Sequence, residues 1–228
     1  MALNLLFLLH GKDEKNSGGG SPGYPHHVIQ RGVRSIDLFY LDDDRKEYLL
    51  LLKQAAERFG VEFISYCLMT NHIHLVAIPR QTDSLARAVG EAHRQYTRMI
   101  NFRDHVRGYL FQGRFYSCPV NTGDYLFTAV RYVEQNPLRA RLVRHPWSSS
   151  AFHCGLIDKD ILVGASPLLE EIGDWESFLS EEPEESSLNL QEAVRTGRPF
   201  GSDSFYSIVE KVTGRDARRR KAGRPKKN

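Results

Sequence analysis

The apolar residues of this chain repeat with two different periods, and the switches between them mark its elements. In Val61–Met69 and again in His72–Ile78, β-branched and apolar residues run almost without interruption, which predicts two strands joined as a hairpin by Thr70-Asn71. Leu85, Ala88, Val89, Ala92, Tyr96, Met99 and Ile100 instead recur at three and four residues. That spacing predicts a helix burying one stripe, with Arg87, Arg94 and Arg98 on its other side. Asp43–Phe59 is predicted helical as well, because its acidic residues stand where they oppose the helix dipole and Gly60 follows its end. His27–Val33 and Asp37–Leu41 are short strand candidates around a turn at Arg34-Ser35. Tyr109–Val120 reads as a further strand, and Thr122–Asn136 as a third helix that Pro137 helps to stop.

Antiparallel strands with interleaved helices and few βαβ repeats predict an α+β protein, one sheet with helices packed on one face. Residues 22–157 form the expected catalytic domain. Residues 1–21 are read as a disordered extension, and the Gly-, Ser- and Pro-rich stretch from His10 to Pro25 should bury nothing. Residues 158–214 read as an acidic linker, including Glu181–Glu185, and a short amphipathic helix over Ser202–Thr213 that Gly214 ends.

Composition adds exclusions. No stretch approaches the ~20 apolar residues of a membrane span, and Leu5–Leu9 is too short for a secretory segment, so a cytoplasmic protein with no membrane partner is expected. Cys67, Cys118 and Cys154 have no CxxC or CxH spacing and predict neither a disulfide framework nor a zinc knuckle. The net charge of +3 conceals a division along the chain: residues 1–157 hold 19 Lys/Arg against 14 Asp/Glu, residues 158–214 hold 4 against 13, and residues 215–228 hold 8 against 1. A basic front and a strongly basic end suit a nucleic-acid binder, since Lys and Arg that neutralise phosphates release counterions; a solubilising tail is the plainer alternative.

Candidate chemistry starts at His72-Ile73-His74, where the strand period of two sends both imidazoles to one face. Two adjacent imidazoles can chelate a metal ion, although such a pair in a strand is more often exposed or hydrogen-bonded. On the helix Thr122–Asn136, Leu126, Ala129, Val130 and Val133 make the core stripe. Tyr125, Tyr132 and Asn136 fall along its border, the last two one turn apart. A phenol beside an amide is either a core-flanking Tyr with a helix-closing Asn, or a nucleophile with a ligand. Tyr96 and Tyr125 lack an amide four residues on; Tyr96 reads as core, and Tyr125 as packing or as a base-stacking residue.

Three separated motifs, Asn71-His72-Ile73-His74-Leu75, Tyr109-Leu110-Phe111-Gln112-Gly113-Arg114-Phe115, and Arg131-Tyr132-Val133-Glu134-Gln135-Asn136-Pro137-Leu138-Arg139-Ala140, resemble the REP-associated tyrosine transposases, a group of the single-tyrosine HUH (IS200-like) transposases. The likeness spans about residues 22–153. It implies a ferredoxin-like HUH endonuclease fold, a divalent metal (Mg²⁺ or Mn²⁺) held by His72, His74 and Asn136, and Tyr132 as catalytic nucleophile. It further implies single-stranded DNA with hairpin-forming palindromic repeats as partner, cleaved through a 5′-phosphotyrosine intermediate, and leaves monomer or homodimer open. Two departures stand out: Arg31-Gly32-Val33-Arg34 replaces the family's usual Asn-rich turn, and Glu134 replaces the His of the usual Tyr-Ile-His-x-Asn-Pro.

Arg31, Arg34 and Arg114 are the candidate DNA contacts of the domain. The tail supplies Arg218, Arg219, Arg220, Lys221, Arg224, Lys226 and Lys227 around a Gly-Arg-Pro that loosely resembles an AT-hook, a segment that lies in a narrow minor groove. A second Gly-Arg-Pro at 197–199 reads as a turn. A DNA-binding regulator without turnover is the rival class, and a hydrolase using water would leave Tyr132 without a role.

Overall fold

A computed structural model describes residues 20–140, 145–181 and 185–218. Four antiparallel strands, β1 (His26–Arg31), β2 (Val61–Leu68), β3 (His72–Pro79) and β4 (Tyr116–Pro119), form one sheet in the order β2-β3-β1-β4. The β2–β3 hairpin is the predicted one. β4 is shorter than the predicted Tyr109–Val120, since Phe111 reaches only an isolated bridge to Gly32 and residues 112–115 loop outward. Asp37–Leu41 is not a strand: Leu38 and Phe39 are buried, and the backbone of both donates to Thr70 O, so the segment packs as a loop under the hairpin turn.

α1 (Asp42–Phe59) and α2 (Ser84–Arg103) lie on one face. Asp44 begins α1 by accepting from the Tyr40 and Leu41 amides, both at 2.9 Å, and Gly60 ends it in the left-handed region at φ 68°. Strand periodicity supplies this face with Val28, Phe63, Tyr66, Leu68, Ile73, Leu75 and Ala77, which join Tyr48, Leu52, Ala92 and Tyr96 in one core.

Helices were expected on one face only; they occupy both. Ile64, Cys67, Val76 and Cys118 point the other way and meet Leu126, Ala129, Val130 and Val133 of α3 (Asp124–Glu134) in a second core. The sheet is apolar on both faces because β2 and β3 are apolar at nearly every position, so each face needs its own cover. Pro137 does not end the helical path. Gln135 makes a joint, and α4 (Asn136–Arg139) takes the proline in its first turn, where its missing N–H costs nothing.

Residues 158–181 and 185–214 pack rather than span, and residues 182–184 of the expected linker Glu181–Glu185 lie outside the described residues. After α5 (Ser150–His153) come α6 (Trp175–Ser180), α7 (Glu185–Thr196) and α8 (Asp203–Thr213). Leu169, Leu190, Val194 and Phe200 complete the second core, and Val163 joins the first. The acidic residues dominate the local composition, yet Leu190, Ala193 and Val194 form an apolar stripe at helical spacing. Near the other end, Ser21 is buried and its amide donates to His26 Nε2 at 2.9 Å, so burial begins earlier than the composition of residues 10–25 predicts. Residues 1–19 lie outside the described residues. Among the described residues, no helix is long and apolar enough to cross a membrane.

Candidate active site

The histidines lie on the α3 face. In β3, Ile73 and Leu75 point to the α1/α2 core, so His72 and His74 point away from it. The β1–β3 register sets Arg31 opposite His72 and Ile29 opposite His74. From across the sheet α3 brings Tyr132, whose ring centroid is 5.8 Å from that of His74; the His72 and His74 rings are 5.1 Å apart.

A third imidazole joins them. His27 of β1 stacks 5.4 Å from His74, stands 5.6 Å from Tyr132, and places Nε2 3.1 Å from His74 Nδ1. The sequence reading missed it. Its signal was the His26-His27 pair at the strand start, but only the β1–β3 register puts His27 diagonal to His74.

The hydrogen bonds orient the rings. His72 Nδ1 lies 2.7 Å from Asn71 Oδ1, an acceptor, which fixes the proton on Nδ1 and leaves the Nε2 lone pair open. His74 Nδ1 is likewise engaged, so each ring is held through one nitrogen as metal-binding imidazoles usually are. Burial keeps all three uncharged. It lowers His27 to about 3, assisted by Arg139, and His72 to about 4, assisted by Arg31; His74 is pushed well below its ordinary value by burial, then by its histidine neighbours and both arginines.

Tyr132 is half-buried. Burial raises its phenol above the ordinary value, and Arg139 and Arg31 oppose that rise. Arg139, seven residues on, lies 4.0 Å over the ring and donates to the Tyr132 carbonyl. Asn136 uses its Nδ2 on the carbonyls of Tyr132 (2.9 Å) and Val133 (3.3 Å), leaving Oδ1 with no donor among the described residues.

Glu134 has a separate place. It is buried and accepts from Ser65 Oγ at 3.1 Å and from Ser149 Oγ, with His153 Nδ1 at 2.7 Å. Through Ser65 and Ser149 it ties the end of α3 to β2, so the acid that departs from the family pattern anchors the tyrosine helix. Tyr96 lies in the opposite core with its hydroxyl donating to Leu38 O at 2.6 Å, and Tyr125 packs on Phe200 at 5.1 Å.

The other candidates are dispersed. Arg34 is exposed in a turn at φ 52°, and Arg114 is exposed just before β4. Arg218 donates to Asp203 O and Ser207 Oγ, both at 3.0 Å. Arg219, Arg220, Lys221, Arg224, Lys226 and Lys227 lie outside the described residues. Among the described residues, no group of three or more His, Cys, Asp or Glu is placed to hold a metal ion. An ion here would therefore need the imidazoles together with amide oxygen or water.

Residues 24–136, which span the sheet, the histidines and Tyr132, match the sequence model of the family described as Transposase IS200 like. A putative REP-associated tyrosine transposase from Haemophilus influenzae is 25% identical over 138 residues, 55% of this chain and 76% of that protein. A REP-associated tyrosine transposase solved bound to a REP hairpin superposes with a TM-score of 0.51 at 15% identity, over 68% of this chain and 93% of its own. A putative transposase from Deinococcus radiodurans R1 gives a TM-score of 0.38 at 16% identity, over 54% and 97%. With the four-stranded antiparallel sheet and the matched segment carrying its histidines and tyrosine, the chain belongs to the IS200-like transposase family.

Proposed function

We propose that this chain is a metal-dependent single-stranded DNA endonuclease and strand transferase that cuts beside DNA hairpins. The observation that carries the reading is Tyr132 standing 5.8 Å from His74 on the face where His72 and His74 converge. The relative solved with a REP hairpin supports a hairpin-forming partner.

Tyr132 is the nucleophile of the proposal. Its Oη forms a bond to phosphorus as the bond from phosphorus to the 3′ oxygen breaks. The phenol gives up its proton and the leaving oxygen gains one, so a 5′-phosphotyrosine and a free 3′-OH result. A phenol with a pKa near 10 is a weak nucleophile at neutral pH. Arg139 and Arg31 favour its anion, and Arg139 also fixes the ring. Glu134 holds the helix that aims it.

The residues fit a divalent ion, Mg²⁺ or Mn²⁺. His72 and His74 would hold it through Nε2 and Asn136 through Oδ1, the atoms left open by the hydrogen bonds of each side chain. When bound, such an ion supplies Lewis-acid polarisation of the scissile phosphate. His27 orients His74 in that arrangement, accepting its Nδ1–H.

Incubation of the full chain with labelled hairpin oligonucleotides and Mn²⁺, followed by denaturing electrophoresis, tests the reading. A covalent DNA–protein adduct that disappears with EDTA is expected; hairpin binding with no adduct would favour the regulator instead.

A further inference from the structure

A groove of about 1480 Å³ runs between α2, the loop that leads into β4, and the chain around residues 196–199 and 213–218. Arg94, Arg114, Arg198, Arg215 and Arg218 line it against one acidic residue, Asp216, among the described residues. Arg94 is held by Glu91, whereas Arg114 and Arg198 make no ion pair among the described residues. Two aromatic rings stand open in the same wall: Tyr109 is 89% exposed and Tyr116 59%. Past Gly108 a second hollow continues the surface with Arg98, Arg107 and Phe102, which is 83% exposed.

Exposed aromatic rings beside unpaired guanidiniums have a particular complement. Duplex DNA offers phosphates but hides its base faces, whereas a single strand offers both, and base–aromatic stacking tolerates any sequence. The register connects this wall to the histidines. Tyr116 pairs with Ile29, which pairs with His74, so all three lie on one face, with Tyr116 two strand spacings, about 10 Å, from His74. At its other end the groove reaches Arg218, where the basic tail begins.

We propose that this groove binds the single-stranded segment flanking the hairpin, stacking bases on Tyr109 and Tyr116 and leading the strand over the β4 edge toward Tyr132. The proposal rests on the DNA-processing reading above and adds a binding surface outside the histidine cluster. It assigns Arg114 to that strand rather than to the duplex stem.

The test measures binding by fluorescence anisotropy in EDTA, using the full chain and two hairpin oligonucleotides, one with a single-stranded flank and one blunt. The double variant Tyr109→Ala/Tyr116→Ala should lose about tenfold in affinity for the flanked hairpin, within the range of one or two stacking contacts. Arg114→Glu should weaken the same complex and flatten its salt dependence. Both variants should bind the blunt hairpin as the wild type does. All three side chains are exposed, so the variants should fold, and circular dichroism checks this. Unchanged affinity for the flanked hairpin would overturn the proposal, and equal losses on both hairpins would make the groove a duplex site and overturn it too. A wild type that forms the Tyr132 adduct while the variants bind normally refutes the groove alone. A wild type that binds no DNA refutes the reading beneath it.

Discussion

The two faces of the sheet each hold a tyrosine against a helix, and they treat it differently. On the α1/α2 face Tyr96 is fully buried, its hydroxyl is bonded to Leu38 O, and Phe39, Tyr48 and Phe111 surround its ring. On the α3 face Tyr132 is half-buried, its ring meets two imidazoles and a guanidinium, and its hydroxyl has no hydrogen bond among the described residues. A core tyrosine satisfies its hydroxyl because an unpaired buried polar group costs about 1–3 kcal/mol. The open hydroxyl of Tyr132 suits the nucleophile proposed above. Burial acts on histidines of both faces as well: His93 stacks on Phe111 and bonds the Tyr48 hydroxyl, while His72 and His74 keep a nitrogen apiece uncommitted.

The largest expected effect separates the two tyrosines by chemistry. Tyr132→Phe should abolish the covalent adduct on a labelled hairpin while leaving hairpin affinity within about twofold, because only the hydroxyl is lost. Tyr96→Phe should still form the adduct. If Tyr96→Phe abolishes it and Tyr132→Phe does not, the assignment of the two faces is reversed.

A smaller graded loss should follow the proposed ligands. His72→Ala and His74→Ala should each reduce cleavage at least 100-fold, and Asn136→Ala by less, since water can replace an amide oxygen. Single-turnover cleavage across a Mn²⁺ titration reads this order, and added metal should partly restore Asn136→Ala only.

Acid should act on both faces, since His27, His72 and His74 are also held neutral by burial, and His93 isolates the contribution of the α1/α2 face. Burial lowers His93 to about 3 and His26 to about 4. Their unfolded values lie near 6.5, so the unfolded chain binds more protons between the two limits. The stability that depends on these neutral rings is complete above about pH 6.5 and is lost as pH falls toward 3, by roughly 4 kcal/mol for His93 alone. Urea unfolding at pH 7 and pH 5 should show the drop, and His93→Gln should reduce it without abolishing it, since the other buried histidines remain. The smallest effect is that of Tyr96→Phe on stability, about 1 kcal/mol for the bond to Leu38 O, measured in the same urea titrations.

Local pattern made much of this protein legible. The hairpin, α1 with its Gly60 stop, the α2 stripe and the amphipathic α8 follow from periodicity and capping, which act over a few residues. The predicted strand at Asp37–Leu41 failed because Leu38 and Phe39 are apolar for burial under a turn, not for pairing, and a short apolar run cannot distinguish the two. In the acidic stretch around α7, composition masked the apolar stripe of that helix.

By itself, the sequence singled out the candidate residues and fixed how neighbours on one element relate. His72 and His74 share a face because strands alternate, and Tyr132 and Asn136 project together because helices turn every 3.6 residues. Only the tertiary structure decided what meets across elements. The β1–β3 register brought His27 to His74, the second helical layer set Tyr132 over both, and Ser149 and His153 closed on Glu134 to hold that helix. Those contacts depend on register and layer packing between residues tens of positions apart, which no local period encodes.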